Sequence, residues 1–354
     1  MKYSDLYFND IAKSMEQVPN LLLLYGQSVL VTGATGLIGS CVVDSLFYLN
    51  KYKKADISII IAARNRERVI QRFAPFQMDK DYSFLPYDAA LTESFSVKAD
   101  YIIHAASPAD PKGITSAPVE TILANIIGLH SLLQSADKNH LKRFLFVSSS
   151  EVYGRKESSD PYKESDYGFI DLLNPRASYP NAKRTAESLC VSYIHEYNLD
   201  GVIVRPGHIY GPTVTASDSR ASSQFPRDLI AGKDIVMKSA GTQLRSYCYV
   251  TDCASAILCV LLNGAKGEAY NISNREAIVS IRQMAEAFAQ ACGKKVVFEQ
   301  ASTQEKATFN LMDNSSLNAE KLEALGWRGC FDMKTGAEHT LKELWRMKYK
   351  VYNI

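Results

Sequence analysis

The stretch that decides the fold is Val29–Ser40, "VLVTGATGLIGS": a short β-branched run, glycines at Gly33, Gly36 and Gly39, and then the apolar, helix-compatible "LIGSCVVDSLFYL". Glycines between a strand and a helix permit a tight turn, a close backbone approach to phosphate and close helix packing. The helix N-terminus adds free N–H groups and the positive end of its dipole. A dinucleotide pyrophosphate fits there. The spacing G-x-x-G-x-x-G differs from the G-x-G-x-x-G of the dinucleotide dehydrogenases, so the strand before and the helix after carry much of the reading.

Working outward, short apolar runs recur with helical stretches between them: "SVLVTG", "ISIIIAA", "YIIHAAS", "RFLFVSS" and "GVIVRPG". This alternation predicts an α/β fold, a doubly wound parallel sheet with helices on both faces. "PVETILANIIGLHSLLQSADKN" and "PNAKRTAESLCVSYIHEYN" have apolar residues at helical spacing and are expected to pack on that sheet. After "RPGHIYGP" the order degrades into the polar "TVTASDSRASS", then helices and isolated strands such as "EAYNIS" and "KVVFEQ", which predicts a smaller, mixed α/β lobe. The expected division is 1–26 as a helical extension, 27–205 as the nucleotide-binding domain and 206–354 as the second lobe, with interleaved boundaries.

The chain of 354 residues is long enough to bury a sizeable core, and its net charge of +2 is too small to imply a nucleic-acid or anionic-membrane partner. Seven scattered cysteines have no metal-type pairing and read as reduced thiols, with no metal expected. The N-terminus carries carboxylates where a signal peptide has basic residues, and its apolar run Leu21–Leu24 is short. A cytoplasmic protein is therefore expected.

The second strand ends in "IIIAARNRER", where NAD binding would use a carboxylate on the ribose 2′-hydroxyl. Ala62 and Ala63 supply none, and Arg64 suits a 2′-phosphate, so NADP is favoured with NAD the alternative. Asp88, in "LPYDAA", is either an acceptor for the adenine amino group or an N-cap of a following helix. Tyr179 and Lys183 in "SYPNAKRTAE" stand at i and i+4 on one helix face, downstream of "FLFVSSSEVYG", a strand ending in hydroxyls and Glu151. A phenol of pKa about 10 is a poor base at neutral pH, and an ammonium one turn away favours its phenolate.

With these motifs in this order, the sequence resembles the extended short-chain dehydrogenase/reductases, the nucleotide-sugar epimerases, dehydratases and decarboxylases, from about Ser28 to Trp327. The resemblance implies a Rossmann-type fold and a homodimer. It places Gly33, Thr35, Gly36, Leu37, Ile38 and Gly39 in the cofactor loop, with Arg64 and Asp88 at its adenosine end. Ala105, Ala106 and Ser107 of "HAASPADP" lie beside the pyrophosphate, Asn125 supports the site, and Ser148 and Pro206 border the cofactor. Ser149, Tyr179 and Lys183 match the catalytic trio. The tyrosine takes the proton of the sugar O4 as hydride leaves C4, the lysine holds the cofactor ribose, and the serine bridges tyrosine and O4. Substrate would meet Ser107, Ser150, Glu151, His208 and Arg245, although His208 stands where most members carry asparagine.

Glu151 matches the glutamate that dehydratases and decarboxylases place near C5 or C6, where a carboxylate can remove the C5 proton of a 4-keto sugar. Ser150 replaces the aspartate acid of deoxythymidine-diphosphoglucose dehydratases. "NPRASYPNAKRTAE" and "HAASPADP" look most like glucuronate decarboxylases, but the segment expected to supply a cation for the substrate carboxylate, "NLMDNSSLNAEKLEALGW", has Leu317 and no arginine. The sequence therefore ranks a 4,6-dehydratase-like activity first, then decarboxylase and 4-epimerase. A one-way ketoreductase and a non-catalytic nucleotide-binding protein rank below these three.

Overall fold

A computed structural model of the chain describes residues 4–74, 82–91, 96–300 and 312–350. The ends of the expected first and last segments, and Asn310 and Leu311 of the C-terminal stretch, lie outside the described residues. The five apolar runs form β1 (Ser28–Thr32), β2 (Ser58–Ala63), β4 (Tyr101–His104), β5 (Arg143–Val147) and β6 (Gly201–Pro206), joined by β3 (Tyr82–Pro86). With β10 (Ala269–Ile272) they make a seven-stranded sheet of order β10-β6-β5-β4-β1-β2-β3. Every pair is parallel.

Parallel strands are covered on both faces, which is why they are written as nearly unbroken apolar runs. The side chains of β1 alternate between two cores. Val29 and Val31 join the cluster that includes α2 (Leu37–Lys53) and α8 (Val250–Asn263), and Leu30 joins the cluster of α5 (Pro118–Ser135) and α6 (Ser178–Tyr197). The fold is thus the doubly wound parallel sheet that the alternation predicted, with the Rossmann-type strand order that the resemblance implied.

Two of the expected isolated strands are paired. "EAYNIS" is β10, at the edge of the main sheet beside β6, with Ala269 opposite Ile203 and Ile272 opposite Pro206. It reaches that edge because α8 packs against α2 and carries the chain back over the sheet. "KVVFEQ" contains β12 (Val296–Phe298), parallel to β8 (Ile235–Met237). A smaller sheet holds β7 (His208–Tyr210), β9 (Leu244–Tyr249), β11 (Ile278–Ser280) and β13 (Asn314–Ser315). A third core, around Tyr210, Phe288 and Phe331, packs beneath α7 (Ala221–Ile230), α9 (Ile281–Ala291) and the C-terminal helix Met333–Lys350.

The N-terminal helix α1 (Asp5–Met15) is part of this packing. It buries Tyr7, Ile11 and Met15 against α2 and α8. Its polar face is well partnered. The Tyr7 hydroxyl donates to Asp44 at 2.8 Å, Ser14 donates to Asp252 at 3.0 Å, and Asp10 accepts from the Tyr249 hydroxyl at 2.9 Å and pairs with His339. Among the described residues no helix is long and apolar enough to cross a membrane, and no group of three or more His, Cys, Asp or Glu side chains could hold a metal ion.

Candidate active site

The crevice at the carboxyl ends of β1 and β4 lies where the strand order reverses, the place where open α/β sheets bind ligands. Gly33 has φ +64°, and a Cβ there would lie 2.5 Å from the Ala105 carbonyl oxygen. A Cβ on Gly39 would lie 2.4 Å from the Gly33 oxygen. Both clashes are with backbone, so only glycine fits, and the backbone is left open to a phosphate. Gly36 caps α2 without a side-chain acceptor, leaving the first N–H groups of the helix to an anion. Thr35 and Ile38 stand half-buried beside it, and Leu37 is buried with its carbonyl accepting from Thr213 Oγ1 at 2.8 Å.

Across the crevice, Thr32 Oγ1 accepts the N–H groups of Ala105 and Ala106, both at 3.1 Å, and gives its own proton to His104 Nδ1 at 2.9 Å. That leaves the imidazole proton on Nε2. Burial, with the Lys183 charge second, pushes His104 down to about 3, so it is neutral. Ser107 donates to Asn125 Oδ1 at 2.9 Å, and Asn125 in turn to Thr121 O at 2.8 Å. This cradle, closed to a Cβ at Gly33 and Gly39 and backed by a helix N-terminus, fits a nicotinamide dinucleotide.

The structure places two expected cofactor residues differently in character. Arg64 is exposed at the end of β2, and the adjacent Asn65 caps α3 (Arg66–Phe73). Asp88 Oδ1 accepts from Ala90 N at 3.0 Å and opens a turn, where a helix N-cap was the alternative.

Beside the cradle, β5 runs into Ser148, Ser149 and a 3-10 turn, Ser150–Tyr153, while α6 lays Tyr179 and Lys183 against it. Lys183 is 2% exposed, and its Nζ donates to Val147 O at 2.8 Å. Burial pushes Lys183 down to about 7, and the Glu187 charge opposes the shift. Burial pushes Tyr179 up to about 12, helped by Glu151, while a hydrogen bond with Ser149 and the charges of Arg220 and Arg176 act the other way. In the free protein the phenol is therefore neutral, and a cation beside it is needed to favour the phenolate.

Glu151 is paired with Arg176 at 3.3 Å, both side chains about two-fifths exposed at the mouth of the site. Leu317 is buried with Val152, Tyr153 and Tyr162, so the position without an arginine belongs to an apolar cluster. His208 on β7 and Arg245 on β9 sit on paired strands, the His208 ring 5.6 Å from that of Tyr247. His208 Nδ1 is buried without a partner, and burial, with Arg245 and Arg220 nearby, pushes the ring down to about 3. Pro206 ends β6, buried.

Two residues of this site were missed by sequence reasoning. Arg220 lies in the polar stretch after β7, held by Asp218 with Nε 2.9 Å from Oδ1, and its charge reaches both Tyr179 and His208. The segment crosses to the cradle side because Ser219 Oγ donates at 2.6 Å to Asp110, the N-cap of α4 (Pro111–Ser116). The signal was a lone arginine two residues after an aspartate in an otherwise small and polar run. Arg176, three residues before Tyr179, was readable as one helical turn upstream of it.

Residues 29–273 match the NAD dependent epimerase/dehydratase family. The chain is 32% identical over 246 residues to UDP-glucuronic acid decarboxylase 6 of Arabidopsis thaliana, covering 70% of this chain and 69% of that protein. It is 30% identical over 249 residues to UDP-glucuronic acid decarboxylase 1 of the same plant, covering 70% of this chain and 54% of that protein. UDP-glucose 4-epimerase of Thermotoga maritima with UDP-glucose superposes with a TM-score of 0.76 at 22% identity, covering 91% of this chain and 99% of that one. UDP-glucuronic acid 4-epimerase of Bacillus cereus, in complex with UDP-glucuronic acid and NAD, gives 0.74 at 20% identity, covering 90% and 99%. At these identities the two structures show a shared fold. The family is described as NAD dependent, and the preference for NADP expected from Arg64 finds no support.

Proposed function

Since the chain belongs to the NAD dependent epimerase/dehydratase family, we propose that it oxidises C4 of a nucleotide-linked uronic acid and then releases C6 as carbon dioxide. The observation that carries this reading is the pair of guanidiniums on either side of the site, Arg176 beside Glu151 at 3.3 Å and Arg220 held by Asp218 and brought to the cradle by the Ser219–Asp110 contact, whose charges both favour the Tyr179 phenolate. A 4-keto uronate is a β-keto acid. Its C5–C6 electron pair can pass into the C4 carbonyl without a base, the charge developing on O4 beside the Tyr179 hydroxyl while a cation positions the carboxylate, and C5 then takes up a proton. The sequence ranked dehydration first because the C-terminal segment offers no such cation; in the present reading Arg176 and Arg220, paired in the free protein with Glu151 and Asp218, would offer it from two other segments. The name of the curated relatives points the same way.

NAD, when bound, would accept the C4 hydride, return it to C4 once carbon dioxide has left, and in its oxidised form set a positive ring beside the phenol. The glycine cradle and the α2 N-terminus hold the pyrophosphate, with Ala105–Ser107 as the opposite wall. Ser149 orients O4, Tyr179 Oη takes its proton, and Lys183 keeps the phenolate favourable. Arg245 and His208 face the nucleotide end of the substrate. A second reading, dehydration, is favoured by Glu151, whose carboxylate stands beside Tyr179 as a base for C5. Ser150 leaves it without a neighbouring carboxylic acid for the departing hydroxyl.

Mass spectrometry of products from UDP-glucuronic acid and from nucleotide-linked glucose separates the readings. Loss of carbon dioxide from the uronate is expected. Loss of water from the glucose form, with the uronate untouched, selects dehydration, and an unchanged mass with a new sugar selects epimerisation. For the cofactor, NAD is expected to bind at least as tightly as NADP, and Arg64→Ala to leave NAD affinity within about twofold, because the side chain is exposed. Fluorescence titration of both cofactors measures it, and clearly tighter NADP binding that Arg64→Ala abolishes would restore the arginine as a 2′-phosphate ligand.

A further inference from the structure

The groups facing the Lys183 ammonium come from three elements. On α6 they are Tyr179 on one side, with its ring centroid 5.8 Å from Nζ, and Glu187 and Cys190 on the other; β4 presents His104, and β5 presents the Phe146 ring at 4.7 Å and the Val147 carbonyl at 2.8 Å. Of these, Glu187 alone carries a negative charge. Burial holds Cys190 as a thiol, His104 is neutral, and Tyr179 is neutral in the free protein. Glu187 stands one turn beyond Lys183, as Lys183 stands one turn beyond Tyr179, so the three form a ladder on one helix face.

The carboxylate is fixed at both oxygens. Arg205, at the end of β6, donates from Nε to Oε1 at 3.0 Å and from Nη2 to Oε2 at 2.7 Å, and Ser148, next to the carbonyl that holds Lys183, donates to Oε1. Arg205 is itself pinned, donating to the Glu164 carbonyl at 2.8 Å and the Tyr153 hydroxyl at 3.1 Å. The helix carrying Tyr179 and Lys183 is thereby tied to the ends of β5 and β6 by one buried ion pair, its side chains 4% and 12% exposed.

We propose that Glu187 is a positioning residue for the reaction: anchored by Arg205 and Ser148, its carboxylate fixes the Tyr179–Lys183 ladder against β5 and sets a negative charge one helical turn from the Lys183 side chain. Its role rests on the Tyr179–Lys183 chemistry above and does not depend on which sugar is used. Without that carboxylate, none of the groups facing the lysine opposes burial with a negative charge, so the lysine loses its proton at lower pH and with it the means of favouring the phenolate.

The test uses the full chain with lysine carbon-13 labelled at Cε, the Lys183 resonance being assigned by its absence in Lys183→Met. Glu187→Gln keeps the volume and an acceptor for Ser148. Because it leaves the Arg205 guanidinium buried without its partner, Glu187→Gln with Arg205→Met is measured alongside it. The midpoint of the Lys183 titration is expected to fall in both variants by about one pH unit, a tenfold loss of proton affinity. The same midpoint as in the unmodified protein would overturn the proposal. With UDP-glucuronic acid, the alkaline limb of the kcat profile is expected to move down with the midpoint, whereas a loss that is equal at every pH would make Glu187 merely structural. Should the unmodified protein leave UDP-glucuronic acid untouched, the decarboxylation reading fails and the titration midpoints still decide the role of Glu187.

Discussion

Tyr179→Phe is expected to lower turnover by roughly a hundredfold to ten-thousandfold, the usual worth of a positioned general base. The ring is 6% exposed and packs beside Lys183, so phenylalanine keeps the shape of the site and removes one oxygen. Cofactor affinity should hold, since the glycine cradle and Lys183 are intact. The pH dependence gives a second check. In the free protein burial pushes the phenol up to about 12 and Lys183 down to about 7. Activity should rise as the phenol in the loaded site loses its proton and fall as the ammonium loses its own. The phenylalanine variant should lack the rising limb. A variant within about tenfold of normal turnover, with both limbs kept, would remove Tyr179 from the role of base.

Arg176→Met is expected to slow carbon dioxide release from UDP-glucuronic acid by roughly ten- to a hundredfold, the worth of a hydrogen bond to a charged group. Its side chain is 44% exposed and pairs with a Glu151 that is 41% exposed, so losing it leaves no buried charge stranded and the fold should stand. C4 oxidation should survive, because Ser149, Tyr179 and Lys183 are untouched. The 4-keto sugar should then accumulate and be trapped as its oxime with hydroxylamine. Glu151→Gln is the contrast. If decarboxylation is the reaction, it should change turnover by only a fewfold, because no C5 proton is removed. A loss of a hundredfold or more, with the 4-keto sugar building up, would make Glu151 the base and dehydration the better reading.

The parts of this protein that the sequence by itself determined are those written in local spacing. Five apolar runs had to be strands buried on both faces, and the alternation with helices fixed a parallel sheet. Gly33 and Gly39 were readable as positions that only glycine fills, and a Cβ at either would indeed strike backbone. Tyr179 and Lys183 meet because a helix brings i and i+4 together. The tertiary structure alone decided what depends on contacts between distant segments. It placed β10 at the edge of the main sheet, since strand neighbours follow from how α8 packs and not from the strand's own residues. It packed α1 against α2 and α8 through side chains from distant segments, a role its own amphipathic pattern does not specify. It also brought Arg220 to Tyr179 through Asp218 and the Ser219–Asp110 contact, and Arg205 to Glu187 across the ends of two strands. A charged side chain in a polar run carries no period of its own, so its partner is set only when the chain has folded and burial makes pairing obligatory.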